Sequence, residues 1–252
     1  MVREIKLSDY VSTFIADHGV KTVFAISGGA SLHLIHSIND NKRLSYVCTH
    51  HEQGAAMAAD GYSRSSSNIG VVISTSGPGA TNLITGICCS YYDSVPLIVV
   101  TGQVSTFRMT GSLGVRQIGF QETPITKIVE PITKYSTQIL DPKKIKFELE
   151  KALFYAFNER PGPVLIDIPD NLQRELIDPR RLEGFRHKIQ LRPKNKFFAT
   201  KEVKNVFFDI LKDSKRPVLI AGWGIHLSQT EKEFLDFAEF LGIPIALTWG
   251  GS

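Results

Sequence analysis

A chain of 252 residues with 42% hydrophobic and 21% charged side chains has the composition of a globular protein with one large domain or two ordinary ones. Its net charge of +4 comes from lysines and arginines that are scattered or lie between residues 179 and 196, which argues against nucleic-acid binding. The apolar runs fall short of the roughly 18 residues of a membrane-spanning helix, and the N-terminus lacks the apolar core of a signal peptide.

The cysteines and histidines predict neither a disulfide framework nor a metal site. Cys48, Cys88 and Cys89 have no metal-ligand spacing, and the adjacent pair is interpreted as two buried small hydrophobic residues. His50 and His51 adjoin Glu52, but no further ligand cluster accompanies them. A reducing cytoplasm is therefore the expected location.

Apolar strands and amphipathic helices alternate as far as residue 169. Ser8 is predicted to cap a first helix that Gly19 ends. Short apolar runs predict strands, with helices between them; the predicted strands are residues 23–26, 46–48, 69–75, 96–102, 134–139 and 164–169. This alternation is typical of an α/β fold, a doubly wound parallel sheet covered by helices on both faces.

Between residues 170 and 200 the alternation fails, since this stretch is dotted with proline and rich in Arg and Lys. We predict a first domain over 1–172, a linker over 173–200 and a second α/β domain over 201–252. The second domain is expected to hold only two strands, too small a core to stand alone. We therefore interpret the chain as a fragment of a longer protein or a truncated one.

Glycine-bearing turns follow three predicted strands, at residues 27–30, 76–80 and 222–224. In an open parallel sheet such turns lie at the carboxyl ends of the strands, where ligands bind. The dinucleotide fingerprint fails there, because Asn82 and Leu227 stand where its third glycine is required. Tight-turn geometry alone would also account for these glycines.

Glu52 stands at the head of a run rich in glycine and alanine, HHEQGAAMAADGY (50–62). A carboxylate facing apolar neighbours is costly unless a partner compensates its charge. One interpretation is that Glu52 merely occupies a helix N-terminus, where negative charge is stabilised. The other is a functional carboxylate, and this segment alone does not decide between them.

Seven segments occur in a characteristic order and spacing: SGGA (27–30), HEQGAAMAADGYSR (51–64), VVISTSGPGATNLITGI (71–87), DSVPLIVVTGQV (93–104), GFQET (119–123), PITK (131–134) and RPGPVLIDIPDNLQ (160–173). Together they resemble the thiamine-diphosphate-dependent enzymes, a family that includes acetolactate synthase, pyruvate oxidase and pyruvate decarboxylase; the acetolactate synthase branch is the most similar. Beyond Lys196 the match rests mainly on RPVLIAGWG (216–224). The resemblance implies a pyrimidine-binding domain followed by the start of a Rossmann-like central domain.

The resemblance assigns roles to several residues. Glu52 matches the family's catalytic glutamate, which faces N1′ of the cofactor's aminopyrimidine; a carboxyl group in an apolar pocket has a raised pKa and could share a proton with that nitrogen near neutral pH. Phe120 and Gln121 are implied to reach toward the thiazolium and the keto acid, although packing would also explain both. The residues implied to bind thiamine diphosphate are Ser27, Gly28, Gly29, Glu52, Thr75, Gly77, Pro78, Gly79 and Asn82. His51 is expected to orient the helix, and Lys134 is interpreted as a solvated lysine.

The resemblance also implies partners and a second cofactor. The family places its active site at a dimer interface, so a homo-oligomer is expected, with a second subunit packed on the Gly- and Ala-rich helix. Mg²⁺ is expected on a diphosphate-binding domain whose Gly-Asp-Gly pattern is absent from this chain, so the 252 residues alone are expected to be inactive. FAD binding stays open, because Gly222-Trp223-Gly224 replaces the three-glycine turn that contacts flavin in acetolactate synthases.

We predict that the chain is the N-terminal part of a carboligase. The enzyme would decarboxylate a 2-keto acid, with pyruvate as the first choice, and transfer the two-carbon unit to a second carbonyl compound. Acetolactate, which leads to branched-chain amino acids, is the first choice of product. The loop between Gln103 and Gly119 is longer than the usual acetolactate version and borders the substrate, so a keto-sugar or other acceptor stays open. A non-catalytic relative is a further alternative, and a nucleotide-binding module is disfavoured by the failed fingerprints.

Overall fold

The computed structural model describes residues 4–186 and 199–251. The chain divides into two compact units, residues 1–192 and 193–252. Most of the basic part of the predicted linker, residues 187–198, lies outside the described residues. No helix within the described ranges is long and apolar enough to cross a membrane.

The first unit contains eight strands and eight helices among its described residues. The strands are β1 (Ile5–Lys6), β2 (Thr22–Ala25), β3 (Ser45–Cys48), β4 (Gly70–Ser74), β5 (Leu97–Gln103), β6 (Tyr135–Gln138), β7 (Pro163–Pro169) and β8 (Leu176–Ile177). The helices are α1 (Leu7–Asp17), α2 (Leu32–Asp40), α3 (Glu52–Ser66), α4 (Pro78–Thr81), α5 (Ile84–Tyr92), α6 (Ile125–Val129), α7 (Ile145–Phe157) and α8 (Asp170–Gln173).

Six strands form one sheet in the order β3-β2-β4-β5-β7-β6, and every neighbouring pair is parallel. The chain adds β3 on one side of β2 and then returns to add β4 on the other side. The carboxyl ends of β2 and β4 therefore flank the point at which the strand order reverses, which is where ligands bind in such sheets. The predicted α/β fold with a parallel sheet is confirmed.

Alternate residues along the central strands enter two different cores. Val71, Ile98 and Val164 pack with α1, α2 and α7 on one face of the sheet, whereas Val72 and Val99 pack with α3, α5 and α6 on the other. Each fully buried side chain of this kind contributes roughly 1.5–3 kcal/mol. The helices are thus held on both faces by apolar burial.

The small residues of α3 are used inside the chain. Ala55, Ala56 and Ala59 are fully buried, and a Cβ on Gly86 of α5 would overlap the Cβ of Ala56. This part of the Gly- and Ala-rich run is therefore filled by α5 of the same chain. The opposite side of α3 stays exposed.

Several local predictions were wrong. Helix α1 begins at Leu7 rather than after Ser8, because the Leu7 N–H donates to the Glu175 carbonyl, 2.9 Å away, and Ser8 is buried against Ser37. The cysteine pair is not buried, since Cys89 is exposed and Cys88 is half-buried.

The start of the predicted linker belongs to the first unit. Strand β8 pairs antiparallel with β1, so that Ile177 lies opposite Ile5. Ile177 and Leu182 are both buried in the core beneath α1 and α7. Two-residue strands leave no periodic signal in a sequence, which is why the pattern did not predict this pairing.

The second unit contains α9 (Lys201–Asp213), β9 (Leu219–Ala221), α10 (Gly224–Ser228), α11 (Glu231–Leu241) and β10 (Ile245–Leu247). Strands β9 and β10 are parallel neighbours, so the expected two-strand alternation is present. Ala221 and Ala238 are the buried hydrophobic residues among the described part of this unit.

Candidate functional site

The turns after β2 and β4 are packed directly against each other. A Cβ on Gly28 would lie 2.5 Å from Cβ of Thr75, so only glycine fits there without displacing that side chain. The Ala30 N–H donates to Oγ1 of Thr75 at 3.2 Å. These contacts place Gly28, Gly29 and Thr75 together at the point where the strand order reverses; Ser27 is exposed beside them.

The Gly77-Pro78-Gly79 turn opens α4 and carries a required glycine. Gly77 has φ +58°, a conformation that side chains disfavour, and a Cβ there would lie 2.7 Å from Cβ of Gln121. Pro78 occupies the first helical position, where its missing N–H costs nothing. Gly79 lies between Thr75 and Glu52, with its position for a Cβ 3.4 Å from Oε1 of Glu52.

Glu52 is the first residue of α3 and is half-buried. Its Oε2 accepts a hydrogen bond from Nδ2 of Asn82 at 2.9 Å, while Oε1 accepts none from the described residues. The helix N-terminus stabilises the negative charge of Glu52, so this residue can occupy the start of the helix and also be a functional carboxylate. His51 caps the helix, because its Nδ1 accepts from the Gln53 N–H at 3.1 Å. The result is a carboxylate fixed through one oxygen, with the other oxygen available to a ligand.

A cavity of about 290 Å³ lies beside these turns. It is lined by Gly29, Ala30, Thr75, Ser76, Val104, Ser105, Arg108, Phe120, Gln121 and Asp170. Phe120 is 84% exposed, and Gln121 has φ +63°, a strained conformation for a residue other than glycine. The cavity thus joins the predicted Gly29 and Thr75 to the predicted Phe120 and Gln121. Glu52 and Asn82 do not line it; Gly79 lies between Glu52 and the lining residue Thr75.

Glu122 organises the long loop that ends at Phe120 and Gln121. Its Oε1 accepts from the Thr110 N–H at 2.7 Å and from Oγ1 of Thr110 at 2.9 Å, and its Oε2 accepts from the Ile118 N–H at 3.1 Å. Although burial raises it, these hydrogen bonds hold the pKa of Glu122 below its usual value. The middle of the loop, at Thr110, and its end, at Ile118, are therefore tied to one carboxylate.

The interior of the sheet holds an acid that the sequence did not reveal. Burial raises the pKa of Asp167 to about 6, against hydrogen bonds from Thr101, Gln138 and Gln103 that favour the carboxylate. The three donors lie 2.6, 2.8 and 2.9 Å from its oxygens. Nε2 of Gln103 also donates to the Thr123 carbonyl at 2.8 Å, which connects the sheet to the segment after Glu122.

Lys134 is a structural residue rather than a solvated one. Its Nζ donates to the carbonyl oxygens of Asn158 and Arg160, within the turn between α7 and β7. Burial lowers the pKa of Lys134, and Glu159 offsets part of that effect.

Within the described ranges, no group of three or more His, Cys, Asp and Glu side chains is arranged to hold a metal ion.

Sequence reasoning did not assign six of the ten lining residues to the site, and the polar and charged ones outside the glycine turns are Ser105, Arg108 and Asp170. Ser105 and Arg108 belong to the loop after β5, and Asp170 begins the helix after β7, so both segments emerge at the same edge of the sheet. That placement after parallel strands was the one available signal, because nothing in their local pattern marks a site.

Comparison with known proteins gives two family matches. The N-terminal TPP binding domain of thiamine pyrophosphate enzymes matches residues 5–126, and the central domain of these enzymes matches residues 205–252. The chain is 38% identical over 251 residues to acetolactate synthase 2, chloroplastic, of Nicotiana tabacum, and 39% identical over 246 residues to the probable acetolactate synthase large subunit of Methanocaldococcus jannaschii. These alignments cover 98% and 92% of this chain but 36% and 38% of the relatives, so the chain spans little more than a third of their length.

Proposed function

Because the chain belongs to the thiamine pyrophosphate enzyme family, we propose that the protein is a thiamine-diphosphate-dependent carboligase of the acetolactate synthase type. It decarboxylates a 2-keto acid, with pyruvate as the first choice, and transfers the two-carbon unit to a second carbonyl compound. The residues of this chain supply the pyrimidine-binding side of the active site. The similarity to acetolactate synthases over nearly the whole chain supports this choice of reaction.

The observation that carries the proposal is the fixed carboxylate of Glu52. Asn82 holds Oε2, and Oε1 is left beside the glycine turn that opens α4. A half-buried carboxyl group in this position can hold a proton at Oε1 against a ring nitrogen. We assign that role to Glu52, and we assign to Asn82 the positioning of the carboxylate.

We assign the pyrimidine of thiamine diphosphate to the two glycine turns, which meet at the carboxyl ends of β2 and β4. Gly28 and Gly79 bring backbone into contact with Thr75 where any side chain would fill the space, and Ser27, Gly29, Gly77 and Pro78 complete the two turns. Thiamine diphosphate, when bound, supplies the electron sink for decarboxylation. This chain's residues would bind its pyrimidine and exclude water.

The proposal includes two further cofactors, Mg²⁺ and FAD. Mg²⁺ would be held with the diphosphate by residues outside this chain. FAD binding would involve the turn after β9, where the rings of Trp223 and His226 are tilted by 41° with centroids 5.2 Å apart. A reducing cytoplasm is the proposed location, in keeping with three free thiols.

We assign substrate contacts to Phe120 and Gln121, because both line the cavity beside the Gly77 turn. The active form is proposed to be a homo-oligomer with its site at a dimer interface. The exposed side of α3 supports this, since Gly54 and Gly61 have nothing within 4 Å of a Cβ and Met57 between them is 41% exposed. An exposed apolar side chain between two glycines allows another helix to approach closely.

One observation favours a second acceptor class, a keto-sugar. The loop that borders the cavity is long, and its residues Val104, Ser105 and Arg108 line the cavity. We infer that this loop accommodates an acceptor larger than a keto acid. Product analysis separates the two, because acetolactate forms from pyruvate alone whereas the sugar product requires the added sugar.

The testing experiment compares Glu52→Gln with Glu130→Gln in the complete protein, supplied with pyruvate, thiamine diphosphate and Mg²⁺. Glu130 is exposed and lies outside the site, so its variant controls for loss of one surface charge. Glu52→Gln is expected to lower carbon dioxide release by two orders of magnitude or more, with unchanged circular dichroism. Near-normal release by Glu52→Gln would overturn the role of Glu52, and no release by the unmodified protein would overturn the proposed reaction.

A further inference from the structure

Arg108 supplies the positive charge of the cavity beside the glycine turns. Among the ten described residues that line this cavity, Arg108 is the one arginine or lysine and Asp170 is the one acid. Asp170 accepts a hydrogen bond from the Ser105 hydroxyl, so one of its oxygens is already engaged inside the protein. A ligand that enters the cavity therefore meets one cation on the wall that carries Phe120 and Gln121.

The backbone of Arg108 is fixed on both sides. Its N–H donates to the Ser105 carbonyl at 2.8 Å, and its own carbonyl accepts from the Gly119 N–H at 2.8 Å. Thr106, two residues before Arg108, is hydrogen-bonded to α8, because its N–H donates to Oδ1 of Asn171 at 2.9 Å and the Asn171 amide donates back to its Oγ1 at 3.0 Å. The backbone of Arg108 is thus held in place, and it is hydrogen-bonded to Gly119, the residue before Phe120.

The guanidinium of Arg108 has no internal use. It forms no ion pair or hydrogen bond with any residue of the described ranges, and its recorded neighbour is the ring of Phe107, with Cζ 5.8 Å from the centroid. Two other arginines of this unit are engaged, since Arg64 bonds to Asp60 and Asp93 and Arg160 bonds to Ser94. All five N–H donors of Arg108 are therefore available for a planar oxyanion, which guanidinium binds in bidentate fashion.

We propose that Arg108 is a specificity-determining residue that binds a carboxylate or phosphate group on the acceptor substrate. The inference rests on the proposed carboligase function. It assigns the anion to the acceptor for an energetic reason: the donor keto acid loses its carboxylate as carbon dioxide, and a charge pair with that group would stabilise the ground state against the loss. The acceptor keeps its anion throughout, so the same contact orients it without opposing the chemistry.

The test uses Arg108→Gln and the matched variant Arg116→Gln in the complete protein. Arg116 lies on the same loop and is exposed, but does not line the cavity. With pyruvate as donor, KM is measured for an anionic acceptor, 2-oxobutyrate, and for a neutral one, propanal. Arg108→Gln is expected to raise the ratio of the two KM values (anionic over neutral) at least tenfold, about 1.4 kcal/mol, and Arg116→Gln is expected to leave the ratio unchanged. An unchanged ratio in Arg108→Gln would overturn the proposal.

A second readout does not depend on turnover. Phenylglyoxal labelling of the unmodified protein, mapped by mass spectrometry, is repeated with 2-oxobutyrate and with inorganic phosphate. Protection of Arg108 but not Arg116 by 2-oxobutyrate indicates a carboxylate partner, and protection by phosphate alone indicates a phosphorylated acceptor. Equal labelling of Arg108 with and without each anion, as expected for Arg116, would contradict the assignment. If the unmodified protein releases no carbon dioxide from pyruvate, the proposed reaction fails while this labelling still decides whether Arg108 binds an oxyanion.

Discussion

Strands β5 and β10 are both short apolar runs that pair in parallel, yet every residue of β5 is buried and every residue of β10 is exposed. Strand β5 lies between β4 and β7, with a helix layer on each face. Strand β10 pairs with β9 alone in the described part of the second unit. A local apolar pattern therefore suffices to specify a strand and its direction, whereas burial depends on neighbours that other segments provide.

The difference in burial between the two units is tested by truncating one isoleucine in each unit. Ile166 is fully buried in β7, and Ile220 in β9 is 73% exposed. Ile166→Ala is expected to lower the free energy of unfolding of the first unit by about 2–5 kcal/mol, and Ile220→Ala to change that of the second unit by no more than about 0.5 kcal/mol.

Urea titration of the 252-residue protein provides the measurement. Both tryptophans, Trp223 and Trp249, lie in the second unit, so their fluorescence reports that unit while circular dichroism reports both. Equal losses in the two variants would contradict the difference in burial.

A smaller effect is expected from the buried acid of the first unit. Unfolding returns the pKa of Asp167 from about 6 to its usual 3.8. The folded state therefore binds the proton more tightly, and its stability falls as pH rises from about 4 to 6, by about 3 kcal/mol in total. Asp167→Asn removes this loss, because an amide can accept from Gln103 and Gln138 and donate to Thr101.

Unfolding curves at pH 4.5 and pH 7.5 test this prediction. The stability of the Asn variant relative to the unmodified protein should increase between the two values. Asp17→Asn is the matched control in the same unit, since the Asp17 side chain is 55% exposed. A variant that gains nothing on going to pH 7.5 would show that Asp167 is not destabilised by its burial.

The smallest expected effect concerns a helix cap in the second unit. Oγ1 of Thr200 accepts from the Val203 N–H at 3.3 Å, and α9 has no buried residue among those described. Thr200→Ala should weaken α9 by about 1 kcal/mol, seen as faster amide hydrogen exchange in its first turn. Ser228→Ala, which lies in a different helix of the same unit, should leave those amides unchanged.

Sequence periodicity gave most elements within a few residues. The run predicted over 69–75 became β4, and Glu52 heads a helix as expected. The glycine turns could also be placed, because parallel strands bring their carboxyl ends to one edge. What could not be predicted are contacts between distant segments, such as Ser105 with Asp170 and Thr106 with Asn171, which join residues 65 positions apart. The orientation of Arg108 depends on these contacts, so no local pattern could reveal it.

Strand β3 has a practical consequence for handling the protein. It is an edge strand bonded to β2 alone within the described sheet, and all four of its residues are exposed, including Tyr46 and Val47. Such an edge is a template on which a second copy can add a strand. Cys48 closes the strand with an exposed thiol, so air oxidation would turn a reversible encounter into a covalent dimer. Purification and storage under reductant prevent this disulfide from forming.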